Sequence, residues 1–202
     1  MRKLLSLFIF MALLSQTAFA GKNPIEVGKV TWSQDYQANL KLSEASGKPI
    51  LLLFQEIPGC SGCQQFGRDV LSHPLLVEAI EDLFLPVLVY NNRSGGKDES
   101  LRKRFKEPAW NYQVIRFIDG RGKDIIPRRD RIWTLGGVAT RMIKALEIAK
   151  RPTPKYLKAL AAEQNTSNQA ETAFAMHCFW TGEVAIGKLD GVIATEAGFL
   201  EG

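Results

Sequence analysis

The sequence is poor in the side chains that most often bind metals. Its 202 residues include three cysteines and two histidines, His73 and His177. A structural zinc site takes four ligands, usually cysteine and histidine, and only Cys60 and Cys63 lie close together in the chain. We therefore expect no metal site, and no motif indicates another cofactor.

The sequence also lacks a hydrophobic run long enough to serve as a permanent membrane anchor. The longest run, residues 4–14, is shorter than the about 20 residues that a transmembrane helix needs. It follows Arg2 and Lys3 and precedes a small-x-small sequence at 18–20, which is the pattern of a cleaved secretory signal peptide. We expect residues 1–20 to be a signal peptide and the mature protein to be periplasmic or secreted, with no stable membrane anchor.

The charge shows no strong excess of one sign. The formal net charge is +5, and two of the positive charges belong to the expected signal peptide. The basic clusters at 101–107 and 120–131 are interrupted by acidic residues and contain few aromatic residues. A nucleic-acid-binding protein needs a consistent basic face, so we expect no nucleic-acid partner.

What the chain does contain is an alternation of short apolar runs and amphipathic segments. The runs predict strands at 49–54 and 85–91, and two further strands around a glycine turn within 113–127. Helical spacing predicts helices between and after them, and the alternation predicts an α/β fold.

We place one domain at 21–162 and a polar linker at 163–171. Beyond the linker we expect a strand, a helix and a strand within 172–202. Over the whole chain, the predicted helices lie at 32–46, from 63 onward, 72–84, 98–107, 134–150, 153–164 and 179–189.

Cys60 and Cys63 lie where a predicted strand passes into a predicted helix. A loop this short gains little from a structural disulfide, because that stabilisation grows with loop length. At a helix amino terminus, Cys60 is stabilised as a thiolate, and Cys63 lies one turn further on. This favours a redox pair over an inert disulfide or part of a metal site.

The stretch "KPILLLFQEIPGCSGCQQF" at 48–66 and the later "FIDGRGK" resemble the thioredoxin superfamily, over about residues 28–160. The resemblance implies a central sheet flanked by helices, with Cys60 as nucleophile and Cys63 as resolver. It also implies thiol or disulfide protein partners and an external reductant.

Two features of the sequence depart from that family. Ser61 and Gly62 separate the cysteines, in place of the family's common dipeptides. The family's cis-proline position falls near Gln113, and the nearest proline before it is Pro108. We expect either a loop rearranged around Pro108 or a different partner-binding groove.

Cys178 is the remaining cysteine. A single cysteine is often buried and inert, but in an exported protein a leftover thiol is also a candidate for reactivity. His177 precedes it, a predicted helix follows it, and Phe179 and Trp180 could form an apolar wall beside the sulfur.

The segment 172–202 resembles the start of peptide-methionine (S)-S-oxide reductases of the A type. The resemblance implies that Cys178 attacks the sulfoxide sulfur, that Phe179 and Trp180 hold the methyl group, and that Glu183 is structural. Residues that complete the family's site lie further downstream than 202, so we expect poor or no sulfoxide reduction by this chain. The matching positions are 178–180, Glu183, 189–192, Gly198, Phe199 and Gly202, and the departures are Met176, His177, Phe199 and Glu201.

Together these features predict an exported sulfur-redox oxidoreductase. In this hypothesis the dithiol of Cys60 and Cys63 recharges a methionine sulfoxide reductase-like segment whose site is incomplete, and methionine sulfoxide in proteins is a candidate substrate. Two alternatives stay open. One is a plain periplasmic thiol–disulfide oxidoreductase with a non-catalytic tail, and the other is a redox-inactive thioredoxin-like adaptor.

Overall fold

The structure is a computed structural model that describes residues 23–109, 113–163, 170, 172–192 and 194–198. The expected signal peptide and most of the expected linker lie outside these residues. Within the described part of the chain, no helix has both the length and the apolar character needed to cross a membrane.

The sheet has three strands in the order β2–β1–β3. The central strand β1, Ile50–Gln55, is buried throughout, as expected for an apolar run covered on both faces. It pairs in parallel with β2, Leu85–Tyr90, and antiparallel with β3, Gln113–Ile118. The three strands predicted at these places are confirmed.

The fourth strand predicted within 113–127 is wrong. After β3 the chain turns, with the Asp119 carboxylate accepting from the backbone N–H groups of Arg121 and Lys123. Strand pairing then reduces to one bridge, between Ile118 and Asp124. Pro127 lies three residues beyond the bridge and cannot donate to a sheet ladder, so the chain leaves the sheet there.

Helices cover both faces of the sheet. Alternate β1 side chains point to opposite faces, so Leu51 and Leu53 join one core and Leu52 and Phe54 join the other. The first core is closed by α3 (Pro74–Leu83), α5 (Leu135–Ile148) and α6 (Lys155–Glu163). The second is closed by α1 (Tyr36–Ser46) and the end of α4 (Gly96–Arg104). This is the predicted layered α/β arrangement. The helices are α1 (Tyr36–Ser46), α2 (Ser61–Asp69), α3 (Pro74–Leu83), α4 (Gly96–Arg104), α5 (Leu135–Ile148), α6 (Lys155–Glu163) and α7 (Phe179–Ile186).

A short 3₁₀ helix, Ile25–Val27, packs directly on α2. The contact requires glycine at position 67, since a Cβ there would lie 1.9 Å from the Ile25 carbonyl oxygen. This close approach places Glu26 beside the loop that carries Cys60.

The carboxy-terminal segment forms α7 but not the two strands predicted around it. Residues 172–176, 191–192 and 194–198 are irregular. A strand needs a neighbour to satisfy its backbone groups, and none lies beside these residues in the described part of the chain. Among the described side chains of this segment none joins either core, and five large apolar ones are exposed: Phe174, Met176, Trp180, Val184 and Leu189.

Candidate active site at Cys60 and Cys63

The loop between β1 and α2 is held by residues from other parts of the chain. The backbone N–H of Gly59 donates to the buried Glu26 carboxylate at 2.9 Å. The side chain of Asn92 accepts from the N–H of Ile57 and donates to the carbonyl of Pro58, both at 3.3 Å. The Ile57–Pro58 peptide bond is cis. These contacts fix the backbone directly before Cys60.

The two cysteines differ in accessibility. Cys60 is exposed at the amino-terminal cap of α2, in extended conformation. Cys63 lies in the first turn of α2 and is fully buried. Their Sγ atoms are 3.5 Å apart and both thiols are free, so this is the reduced form of a vicinal pair.

The start of α2 makes Cys60 the more acidic thiol. Backbone N–H groups of this first turn, chiefly that of Cys63, lower the pKa of Cys60 despite a smaller opposing effect of burial. The side chain of Cys63 lowers it further, whereas the nearby Glu56 carboxylate acts in the opposite direction. Of the two thiols, exposed Cys60 is therefore the one that ionises more readily to the thiolate, the form in which a cysteine acts as a nucleophile.

Cys63 has the opposite character. Burial, followed by the hydrogen bond with Cys60, raises the pKa of its thiol to about 12. It also donates to the side-chain oxygen of Gln113, with 3.6 Å between Sγ and Oε1. The reduced Cys63 is therefore a neutral thiol enclosed by protein.

The carboxylate of Glu56 lies close to both cysteines. It is partly buried, and burial raises its pKa. Its carboxylate and the two sulfurs lie within 4.8 Å of one another. These three atoms are fewer than the four ligands of a structural zinc site. The negative charge of the Glu56 carboxylate raises the pKa of both thiols.

Sequence reasoning placed the cysteines but missed their neighbours Glu26, Glu56 and Gln113. The sequence alone marks Gln113 only as a position without the family's proline. The structure shows it as the first residue of β3, with its carboxamide against Cys63. The only cis peptide bond among the described residues precedes Pro58, so Pro108 supplies no cis-proline in place of Gln113. The expectation of a loop rearranged around Pro108 stays a prediction, because residues 110–112, between Pro108 and β3, lie outside the described residues.

Cys178 lies apart from this pair. It is exposed and caps α7, and the hydroxyl of Thr181 donates to its Sγ at 3.4 Å. That hydrogen bond is the main cause of its lowered pKa. The adjacent Trp180 is 68% exposed, so it lines no enclosed pocket, and the side chain of Phe179 lies outside the described residues. The expected apolar wall is therefore not formed by Trp180.

Comparison with known proteins gives one family-model match, over the region that contains the cysteine pair. No curated protein matches the sequence. One solved structure, titled "DsbH Oxidoreductase", is 21% identical with a TM-score of 0.48, over 65% of this chain and 92% of that chain. Residues 31–114 match a family model described as thioredoxin-like. Neither match supports the expected methionine sulfoxide reductase resemblance at 172–202. The region that contains β1, the cysteine pair and the start of β3 is therefore similar to a thioredoxin-like family.

Proposed function

We propose that the protein is a thiol–disulfide oxidoreductase that acts on protein partners through Cys60 and Cys63. The observation that carries this proposal is the asymmetry of the pair. An exposed thiol with a lowered pKa lies 3.5 Å from a buried, protonated thiol at the start of one helix. In an inert pair, no such difference in exposure and pKa between the two thiols is expected.

The reaction follows from this geometry. The Cys60 thiolate attacks a disulfide of the partner, and the bond between the partner's sulfurs breaks. One partner sulfur leaves and takes a proton, while the other stays bonded to Cys60. Cys63 then loses its proton and attacks the Cys60 sulfur, which releases the second partner thiol. The partner gains two electrons and two protons, and the pair becomes a disulfide.

The sulfur atoms need only a small movement to close that disulfide. They are 3.5 Å apart in the reduced form, and a disulfide bond is about 2.05 Å long. The same steps in reverse oxidise a partner dithiol. We propose an exported location for this exchange, supported by the signal-like sequence of residues 1–20, with an external reductant or oxidant resetting the pair.

The proposal is tested by trapping the intermediate. In a Cys178→Ser background, a Cys63→Ser variant should accumulate a mixed disulfide between Cys60 and an oxidised model protein, because no other thiol of the protein remains to resolve it. The measurement is non-reducing electrophoresis followed by mass spectrometry of the joined peptides. Cys60→Ser in the same Cys178→Ser background is the matched control and should form no adduct. An adduct on Cys63 of the control would reverse the proposed roles of the two cysteines, whereas no adduct in either variant would favour the redox-inactive adaptor.

We further propose that Cys178 is a second reactive thiol, directed at methionine sulfoxide. The observation in favour is its exposed position at the cap of α7 with the Thr181 hydroxyl on its sulfur. In this step the thiolate attacks the sulfoxide sulfur, and the oxygen is transferred to Cys178 as a sulfenic acid with uptake of a proton. The substrate leaves as a sulfide. The Cys60–Cys63 dithiol then reduces the sulfenic acid to the Cys178 thiol, becomes a disulfide itself, and the oxygen leaves as water.

The sulfoxide oxygen must receive a proton, and an acid positioned to deliver it contributes about 10²–10⁴-fold to the rate of such reactions. The resemblance assigns no residue at 172–202 to that role, so this second activity should be slow. The test is reduction of the S epimer of a methionine sulfoxide peptide by the reduced protein. We expect weak reduction that disappears in Cys178→Ser and leaves Cys60–Cys63 exchange unchanged. If Cys178→Ser reduces the peptide as fast as the wild-type protein, Cys178 is not the reactive thiol. That result would favour the plain oxidoreductase with a non-catalytic tail.

A further inference from the structure

Gln113 is a buried polar residue that the proposed exchange does not use. It is the first residue of β3, is 6% exposed, and comes from a strand that lies about fifty residues further along the chain than the cysteines. Its carboxamide oxygen accepts from the thiol of Cys63 at 3.6 Å. A buried carboxamide directed at a buried thiol is the contact to be explained.

That contact exists in only one redox state. A thiol has a hydrogen to donate, whereas a disulfide sulfur has none. When Cys63 is oxidised, the Gln113 oxygen loses this donor while it remains inside the protein. A buried acceptor without a donor is costly, so the cost falls on the oxidised form.

We propose that Gln113 is a positioning residue that stabilises the reduced form of the Cys60–Cys63 pair and thereby shifts its equilibrium toward the dithiol. This inference rests on the proposed function and adds a preferred direction to it. A pair shifted in this way is a stronger oxidant of partner dithiols than the same pair without the carboxamide.

The hydrogen of Cys63 has two acceptors within reach. The Cys60 sulfur is 3.5 Å from the Cys63 sulfur, and the Gln113 oxygen is 3.6 Å away. When Cys60 carries its own proton, it can donate to Cys63, and Cys63 then donates to Gln113. When Cys60 is a thiolate, the two acceptors share one hydrogen. Both arrangements belong to the reduced form and are lost together on oxidation.

A second buried glutamine provides an internal comparison. Gln55 ends β1, lies directly opposite Gln113 in the sheet, and is fully buried. Its amide nitrogen donates to the backbone carbonyl of Glu26 at 2.7 Å. That bond involves no sulfur, so the redox state of the cysteines should leave it unchanged. The two glutamines separate an effect on the thiol from the general cost of losing a buried amide.

The experiment is a glutathione redox titration of the wild-type protein and the variants Gln113→Met and Gln55→Met. The reaction measured is disulfide protein plus two glutathione to dithiol protein plus glutathione disulfide, a two-electron, two-proton exchange. Methionine keeps the length of the side chain and removes the carboxamide. We expect Gln113→Met to favour the disulfide by about three- to tenfold in the equilibrium constant, and Gln55→Met to match the wild type.

The outcomes are distinct from those of the proposed function. If the wild-type pair never forms a disulfide at any glutathione ratio, the proposed function fails. If the wild-type pair forms its disulfide and Gln113→Met does so at the same glutathione ratio as the wild type, the role of Gln113 is refuted. It is also refuted if Gln55→Met changes the equilibrium constant as much as Gln113→Met does. Should the Gln113 variant not fold, infrared spectroscopy of the reduced wild-type protein decides. The S–H band that Cys63→Ala removes should lie below the bands of the exposed thiols, and an unshifted band would overturn the proposal.

Discussion

At pH 7, iodoacetamide should modify Cys60 of the reduced protein about a thousand times faster than Cys63, because alkylation requires the thiolate. A thiol with a pKa of about 12 is ionised in roughly one molecule in 10⁵ at that pH. A thiol whose pKa lies below its ordinary value of 9.0 is ionised in at least about one in a hundred. Burial of Cys63 adds to the difference, since the reagent must reach the sulfur.

The rates are measured by timed quenching and mass spectrometry of the labelled peptides, with Cys178→Ser to remove the third thiol. The pH profile of Cys60 should rise through a midpoint below 9.0 and then level off. Glu56→Gln should move that midpoint lower still, because the carboxylate raises the pKa of Cys60. Faster labelling of Cys63 would reverse the proposed roles of the two cysteines.

The elements around this site could be predicted because their patterns are local. The apolar run of β1 is bounded by Lys48 and Pro49 on one side and a proline–glycine turn on the other. The run predicted a buried strand, and the apolar spacing after it predicted α2. The cysteine spacing then placed one thiol at the cap of α2 and the other inside it. All of this information lies within about twenty residues.

What the sequence could not show depends on contacts between distant segments. Glu26 comes from the 3₁₀ helix before β1, and Gln113 comes from the strand beside it. Their relation to the cysteines exists only after the sheet has formed. The strands expected after the linker failed for a related reason. Their alternating residues suit a strand, but the described part of the chain offers no neighbouring strand to pair with them.

A buried ionic cluster secures the strand that carries Gln113. Arg116 of β3 has 9% of its side chain exposed and donates to the Glu107 carboxylate at 2.8 Å. It also donates to the Phe105 carbonyl and pairs with Asp124. Arg128 donates to both oxygens of Glu107, at 2.7 and 2.8 Å. Glu107 has 1% of its side chain exposed and is the shared acceptor of two guanidinium groups.

Replacing Glu107 with alanine should lower the free energy of unfolding by about 3 kcal/mol, because it leaves the buried Arg116 charge with only part of its compensation. The measurement is urea unfolding of the reduced protein at constant pH. Glu107→Gln keeps the shape and removes the charge, and should also destabilise the protein. The matched control is Glu99→Ala, which removes an acidic partner of Lys103 from the surface of α4 and should change stability much less. Equal effects at the two positions would mean that the cluster around Arg116 contributes no more than a surface ion pair. If Glu107→Ala lowers the free energy of unfolding more than Glu99→Ala does, the ionic contacts of Arg116 stabilise β3 without involving the cysteines. Gln113 then contacts Cys63 from a strand that these ionic contacts hold in place.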